Sequence, residues 1–166
     1  MNTDELKRRS ERFALDAMKL VGKLPSNQQG RVIGNQFLRA ATSVGANYRA
    51  ATRAWSHAEF IAKIGTVEEE ADECCYWLEL VIEGNLLPAS RVTPLLKEAQ
   101  ELTAIFTASG RTARLNSNRE SRSAKRKAVA GSQSAVRAPR SSANPRSEIS
   151  DSAPIRNSKS AIRDNQ

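Results

Sequence analysis

Hydrophobic residues recur at helical spacing along the first two thirds of the chain. In the first such segment the apolar face is formed by Leu6, Phe13, Ala17, Leu20 and Leu24, and Pro25 follows it directly. A second segment runs from about residue 28 to residue 54. Its apolar positions alternate steps of four and three, at Phe37, Ala41, Val44, Tyr48, Ala51 and Trp55. Such spacing predicts a helix that packs along its length against neighbouring helices.

Two further segments have recognisable starts and ends. Ser56 and Glu59 fit a capping box, in which the Glu59 carboxylate would accept the amide of Ser56. The third helix should then end near Gly84-Asn85, where one residue takes the left-handed conformation. For the fourth helix, Thr93-Pro94 predicts an N-cap and first turn, with Ser90 as an alternative cap. This helix is expected to fade near residue 110.

These four segments predict an all-α protein. No alternating apolar and polar run is long enough for a pair of strands. Amphipathic helices joined by short turns most simply form an antiparallel up-down four-helix bundle, which we place at residues 1–112. No internal repeat stands out.

The composition changes from Arg111 onward, and we predict a disordered tail over residues 113–166. This part is rich in Ser, Arg, Ala and Pro and has no aromatic residue, so it has little apolar surface to bury. Residues 111–166 hold 13 basic and 4 acidic side chains, whereas residues 1–110 hold 13 and 14. The run Lys125, Arg126 and Lys127 therefore either attracts phosphates or belongs to a tail that only keeps the protein in solution.

The small-residue stretch ATSVGANY, residues 41–48, lies inside the second helix. It has one glycine and no strand before it, so it matches neither a Walker loop nor a dinucleotide-binding loop. The interpretation we favour is a structural seam, in which Ser43 and Gly45 let another backbone approach closely. Asn47 and Tyr48 would then fix the register through hydrogen bonds.

Nothing in the sequence points to catalytic, cofactor-binding or metal-binding residues. Cys74 and Cys75 are adjacent and His57 is the only histidine, so neither a disulfide framework nor a zinc site is predicted. The acidic run from Glu68 to Glu73 is interpreted as a solvated face. The charged N-terminus and the lack of an 18-residue apolar run predict a cytoplasmic protein without a membrane partner.

Four arginines of the second helix, at positions 31, 39, 49 and 53, are predicted to share one exposed stripe. At about 100° per residue, Arg31 and Arg49 lie near 280° and Arg53 near 320° from Arg39, opposite the apolar face. Such a stripe could meet successive phosphates, or it could be an ordinary solvated face. The basic residues of the first helix alternate with acidic ones, which indicates pairing within that helix.

The residues also resemble a known family. The string RAATSVGANYRAATRAWSHAEFIAKIGTVEEEADECCYWLELV, with FALDAMKLVGKLP before it and LLKEAQELTAIFTASGRTAR after it, is similar to the bacterial four-helix-bundle proteins encoded in intervening sequences of 23S rRNA genes. The superfamily includes the accessory variability determinant of diversity-generating retroelements. The resemblance of this chain to the family covers roughly residues 4–114. An acidic residue commonly follows NYR in the family, whereas this chain has Ala50 there.

The resemblance implies a homo-oligomer, typically a pentamer, without catalytic residues. For the retroelement proteins it also implies binding of nucleic acid and of a reverse transcriptase. We therefore expect a non-enzymatic bundle that binds structured RNA or DNA through the helix-two arginines and the basic tail. The alternative is an assembly protein that docks a protein partner, such as a reverse transcriptase, on its acidic third helix. Trp55 and Trp77 could each lie in the core or at a subunit interface.

Overall fold

The protein folds into four antiparallel helices. A computed structural model describes residues 2–136, with side chains described through residue 128. The helices are α1 (Thr3–Val21), α2 (Gln28–Ala51), α3 (His57–Glu83) and α4 (Ala89–Val136). No strand occurs in the described part of the chain, and none of its helices is long and apolar enough to cross a membrane. The predicted all-α four-helix bundle is confirmed.

Each helix packs against its neighbours in the chain, and α4 closes the bundle against α1. The α1–α4 contact is the sparsest of the four. The core contains the apolar positions that the helical spacing predicts. Its largest fully buried side chains are Phe13, Phe37, Val44, Ile64, Val67, Leu78, Val81, Val92, Leu102 and Phe106.

The helix ends follow the sequence signals, with one change at α3. Ser56 Oγ accepts the amide of Glu59 at 3.0 Å, as predicted. The Glu59 carboxylate accepts the amide of Trp55 at 3.1 Å, whereas we expected it to accept that of Ser56. The α1 helix has a complete capping box, formed by Asn2 and Glu5, that the sequence analysis missed.

A Schellman motif ends α3. Asn85 is the residue with positive φ, at 55°, while Gly84 stays in the right-handed region. The amide of Leu86 donates to Val81 O at 3.0 Å, and the amide of Asn85 donates to Ile82 O at 3.0 Å. These bonds satisfy carbonyls that the last turn would otherwise leave unpaired. The predicted left-handed cap is therefore confirmed, and Asn85 provides it.

Two predicted boundaries are wrong. The α2 helix ends at Ala51, so Trp55 falls in the following turn and is 93% exposed instead of continuing the apolar seam. The α4 helix begins at Ala89, ahead of both predicted caps, and Pro94 lies inside it. Trp77 is half-buried against the core, and its indole Nε1 donates to Glu73 at 2.9 Å.

The α4 helix also continues far beyond residue 110. It runs 48 residues to Val136, so residues 113–136, which we expected to be disordered, are helical. No Gly or Pro stands between residues 111 and 130, and the Arg, Lys, Ala and Glu found there are good helix formers. The rest of the predicted tail, residues 137–166, lies outside the described residues.

Candidate nucleic-acid interface

The small-residue stretch of α2 lies against α1. A Cβ atom on Gly45 would stand 3.6 Å from the backbone oxygen of Ser10, so the two helices approach closely there. Asn47 donates to the backbone oxygen and to Oγ of Ser43, both at 3.0 Å, within its own helix. The ring of Tyr48 packs on Phe106 with centroids 5.3 Å apart. The close approach is present, but Asn47 makes its side-chain bonds along α2 and not across the seam.

The structure divides the predicted arginine stripe of α2 into two parts. Arg39 donates to both carboxylate oxygens of Glu73, at 2.9 and 3.1 Å, so its charge is already paired with α3. Arg31 is exposed and donates to the backbone oxygen of Ser26 at 2.9 Å, in the turn before α2. These two arginines therefore do not join Arg49 and Arg53 in one patch.

Arg49 and Arg53 lie with Lys7 and Arg8 of α1 around a groove of about 320 Å³, which Asp4 and Glu11 also line. We call these four side chains the basic end. Lys7 pairs with Asp4 at 3.3 Å. Among the described residues, no carboxylate forms an ion pair with Arg8, Arg49 or Arg53. From the sequence, the basic residues of α1 were expected to pair within their own helix because they alternate with acidic ones, so Lys7 and Arg8 were not predicted as part of this surface.

All four helices contribute to this end of the bundle. Here α1 starts, α2 ends, α3 starts, and α4 passes Ala113, whose backbone oxygen lies 2.9 Å from His57 Nε2. The exposed indole of Trp55 lies in the same region, beside a shallow depression that His57 and Phe60 also line. Exposed cations and an exposed aromatic ring therefore lie at the same end of the bundle.

The predicted basic run of the tail also lies on α4. Lys125, Arg126 and Lys127 are exposed side chains of its C-terminal part. We call residues 114–136 the arm, because α4 has passed the first turn of α3 when it reaches them. The arm thus starts at the basic end.

The acidic run of α3 is only partly a solvated face. Glu73 pairs with Arg39 of α2, while Glu68 accepts from Thr107 of α4 at 2.8 Å and lies 3.6 Å from Arg114. These two glutamates therefore bridge α3 to both neighbouring helices. Glu69, Asp72 and Glu79 are exposed.

Three basic residues of α1, Lys7, Arg12 and Lys19, pair within the helix, as predicted, but Arg8 and Arg9 do not. Arg12 and Lys19 both contact Asp16, at 3.2 and 2.8 Å, and lower its pKa. Arg9 instead reaches α4 and pairs with Glu98 at 2.6 Å and with Glu101 at 2.5 Å. This contact lies in a groove of about 620 Å³ between α1 and α4.

The residues with reactive side chains occupy structural positions. Cys74 and Cys75 are buried free thiols, and burial raises the pKa of each. His57 contacts the backbone of α4, as described above. Within the described residues, no three His, Cys, Asp or Glu side chains are grouped so that they could hold a metal ion.

Comparison with known proteins agrees with this architecture. The family model described as 23S rRNA-intervening sequence protein matches residues 3–108. A similar solved structure is that of a protein of unknown function from the S23 ribosomal protein family of Bacteroides thetaiotaomicron VPI-5482. The two sequences are 32% identical, the match covers 67% of this chain and 99% of the other, and the TM-score is 0.62. No curated protein matched the chain.

Proposed function

This chain belongs to the 23S rRNA-intervening sequence protein family, and from that premise we propose that it is a non-enzymatic, homo-oligomeric bundle that binds nucleic acid. The ligand is structured RNA or DNA, and the contact is made by the basic end and the arm. We place this activity in the bacterial cytoplasm.

The observation that carries the proposal is the convergence of unpaired cations on one end of the bundle. Arg8, Arg49 and Arg53 form no ion pair among the described residues, so they can contact phosphate without first breaking an existing bond. Arginine matches phosphate geometry through paired N–H donors, and each neutralised phosphate releases bound counterions. Arg39 lacks this freedom because Glu73 already occupies its guanidinium.

Trp55 adds a second kind of contact. Its indole is 93% exposed, and an aromatic ring that combines an apolar body with a polar N–H is typical of surfaces that contact other molecules. An aromatic ring beside cations is the arrangement on which unpaired bases stack, whatever their sequence. We therefore assign Trp55 to the nucleic-acid surface.

Self-association is supported by a partly apolar groove between α1 and α2. Leu15 and Met18 are each about half exposed there, beside the small residues Gly45 and Ala46. A second copy could cover these side chains, and the resemblance described above suggests a pentamer. Repetition of the basic end around such an assembly would strengthen its attraction for phosphates.

The test is the binding of a labelled structured RNA, and of a DNA of matching sequence, by the full chain at several salt concentrations. We expect Arg49→Gln and Arg53→Gln each to weaken binding and to reduce the salt slope by about 0.9. Arg31→Gln is the matched control, since Arg31 is an exposed arginine at the opposite end of the same helix. Equal effects of the three substitutions would contradict the proposed site.

A protein-docking role is the alternative, and one observation favours it. Glu69, Asp72, Tyr76, Glu79 and Glu83 follow one another at helical spacing on α3, and all are exposed. Such an acidic stripe with one aromatic side chain suits a basic protein partner, such as a retroelement reverse transcriptase. A reverse-transcriptase gene beside the gene for this chain would favour this role, whereas a position inside an rRNA operon would favour the first.

A further inference from the structure

The arm of α4 carries its positive charge on one side. At about 100° per residue, five basic positions fall within an arc of about 120°. They are Arg111, where the face begins, and Arg119, Arg122, Lys125 and Arg126 of the arm. All five are exposed, and none forms an ion pair among the described residues. We call them the basic face.

The basic face points away from the bundle, except that Arg119, at its edge, also lines a groove with His57 of α3. The buried side chains of α4 nearest the arm, those of Leu102, Phe106 and Ala113, centre about 180° from it around the helix axis. Glu120 and Lys127 lie on that same opposite side. Arg114 lies beside the basic face but does not belong to it, because its guanidinium is directed to Glu68 of α3.

The arm is also slender and long. Between the basic positions its side chains are mostly Ser, Ala and Asn, and Leu115 is the only large apolar residue from 112 to 128. At 1.5 Å per residue, residues 114–136 span about 34 Å and the basic face about 22 Å. Leu115, Val129 and Val136 are the only large apolar residues of the arm, too few to form a continuous apolar face that inserts into a bilayer, which argues against a lipid surface as its ligand.

We infer that the arm lies in the major groove of duplex DNA, with its basic face on the phosphates at the groove edge. This inference rests on the proposed nucleic-acid binding and names its ligand. The major groove of B-form DNA is about 12 Å wide and admits a helix, whose diameter is about 10–12 Å. The major groove of A-form RNA is deep and narrow and excludes side chains from its floor. The small side chains between the cations permit close approach to the DNA.

The arm has almost no tertiary contacts to hold it helical. Beyond Ala113, every described side chain is exposed except Ser117, which is half-buried. Most of the stability of helices in proteins comes from tertiary packing, which the arm lacks. Neutralising the repulsion among the basic side chains will therefore increase the helical content when the arm binds DNA.

The test uses the full chain and a 20-base-pair DNA duplex, with duplex RNA of the same sequence as the comparison. The five phosphate contacts of the basic face contribute roughly −4.5 to the slope of log K against log salt, in addition to the contribution of the basic end. We expect the DNA duplex to bind about tenfold more tightly than the RNA duplex. Equal affinity, or a preference for RNA, would overturn the assignment to the major groove.

Two lysines provide a matched pair of variants. Lys125→Gln removes a charge from the basic face, and Lys127→Gln removes the same charge from the opposite side two residues away. At 0.15 M salt we expect Lys125→Gln to weaken DNA binding about fivefold, since one phosphate contact is lost. Lys127→Gln should weaken it less than about twofold, because a distant charge is largely screened. If the two substitutions weakened DNA binding equally, the arm would attract DNA through its total charge and not through the basic face.

A third variant tests the helix itself without changing any charge. Ser123→Pro breaks the arm at an exposed position, while Ser123→Ala preserves it. We expect duplex DNA to increase the far-UV circular dichroism of the wild type and of Ser123→Ala, but not that of Ser123→Pro, which should also bind more weakly. Full binding by Ser123→Pro would overturn the inference.

These results also separate this inference from the proposed function. If the wild type bound no nucleic acid, both would fail. If binding required Arg49 and Arg53 but did not distinguish Lys125 from Lys127, only the arm would be wrongly assigned.

Discussion

Arg9 of α1 donates two hydrogen bonds to Glu98 of α4, from Nε at 2.6 Å and from a terminal nitrogen at 2.9 Å. This pair joins the two helices that have the sparsest contact in the bundle. The bond to Glu98 raises the pKa of Arg9, so the guanidinium stays charged at every accessible pH. Both side chains are partly shielded from water, at 26% and 31% exposure, and the paired geometry favours a real contribution to stability.

We expect Arg9→Gln to lower the free energy of unfolding by about 1 kcal/mol, near the upper end for a partly exposed ion pair. The control is Arg12→Gln, since Arg12 pairs only within α1 and is 71% exposed. It should cost no more than about 0.5 kcal/mol. Urea unfolding of both variants, of Glu98→Gln and of the double variant Arg9→Gln/Glu98→Gln completes the comparison. Additive effects of Arg9→Gln and Glu98→Gln would show that the pair is not coupled.

Two glycines of α2 should respond differently to alanine. A Cβ atom on Gly30 would overlap the backbone oxygen of Pro25, and a backbone atom cannot move aside as the end of a flexible side chain can. Gly30→Ala should therefore destabilise the protein by about 1–3 kcal/mol. At Gly45 the nearest backbone atom would be 3.6 Å away, an ordinary contact. Gly45→Ala should stabilise the protein by up to about 1 kcal/mol, through helix propensity. Thermal unfolding of the two variants would reveal whether this order is reversed.

The left-handed cap at the end of α3 predicts a specific preference at position 85. Asn85 has φ of 55°, a left-handed conformation that Gly adopts freely, Asn tolerates and Ala adopts at a cost. We expect Asn85→Ala to destabilise the protein by about 1–2 kcal/mol and Asn85→Gly to be neutral or slightly stabilising. Chemical denaturation distinguishes the two. A larger loss for glycine than for alanine would mean that the Asn85 side chain matters more than its backbone conformation.

The buried thiols predict a loss of stability at alkaline pH. Burial raises the pKa of Cys74 and Cys75, so above about pH 8.5 the unfolded chain releases thiol protons that the folded chain keeps. The unfolded state then binds fewer protons, and the free energy of unfolding falls as pH rises. The slope is at most about 1.4 kcal/mol per pH unit for each thiol.

Cys74→Ala should reduce this alkaline slope, whatever its effect at neutral pH. Urea unfolding at pH 7.5, 8.5 and 9.5 measures the slope in both proteins. Tyr48 adds a smaller effect above about pH 10, since burial also raises its pKa. An unchanged slope in Cys74→Ala would contradict the role of that thiol.

The sequence predicts the bundle well where apolar periodicity and burial coincide. Phe37, Val44 and Leu78 occupy the predicted core because their spacing places them on the inner face of a helix. The same spacing wrongly predicts a buried Trp55, since the apolar periodicity of the sequence continues although the helix has ended at Thr52.

The arm was missed for a different reason. Its predicted disorder rested on the lack of apolar surface to bury, yet α4 enters it already nucleated in the bundle, and propagation costs much less than nucleation. Gly110 does not interrupt the helix because it is buried in the bundle, where Ile64 packs against the position that a Cβ atom would occupy.

The candidate site was only half predictable. Positions on one helix are fixed by its geometry, so the common side of Arg49 and Arg53 follows from the sequence. Whether a cation is already paired depends on the neighbouring helix. The sequence could not show that Glu73 holds Arg39, or that Lys7 and Arg8 would join the other two arginines.

Because α4 continues without a break from the core into the arm, the number of residues between them determines which way the basic face points around the helix axis. Because one unbroken helix carries both Phe106 and Lys125, packing in the bundle determines where the positive charges aim outside it. Deleting Thr112 would remove no charged residue, but it would rotate the arm by about 100° relative to the core. In an oligomer, such a deletion would re-aim every arm at once, so the spacing between core and arm is itself part of the information in this sequence.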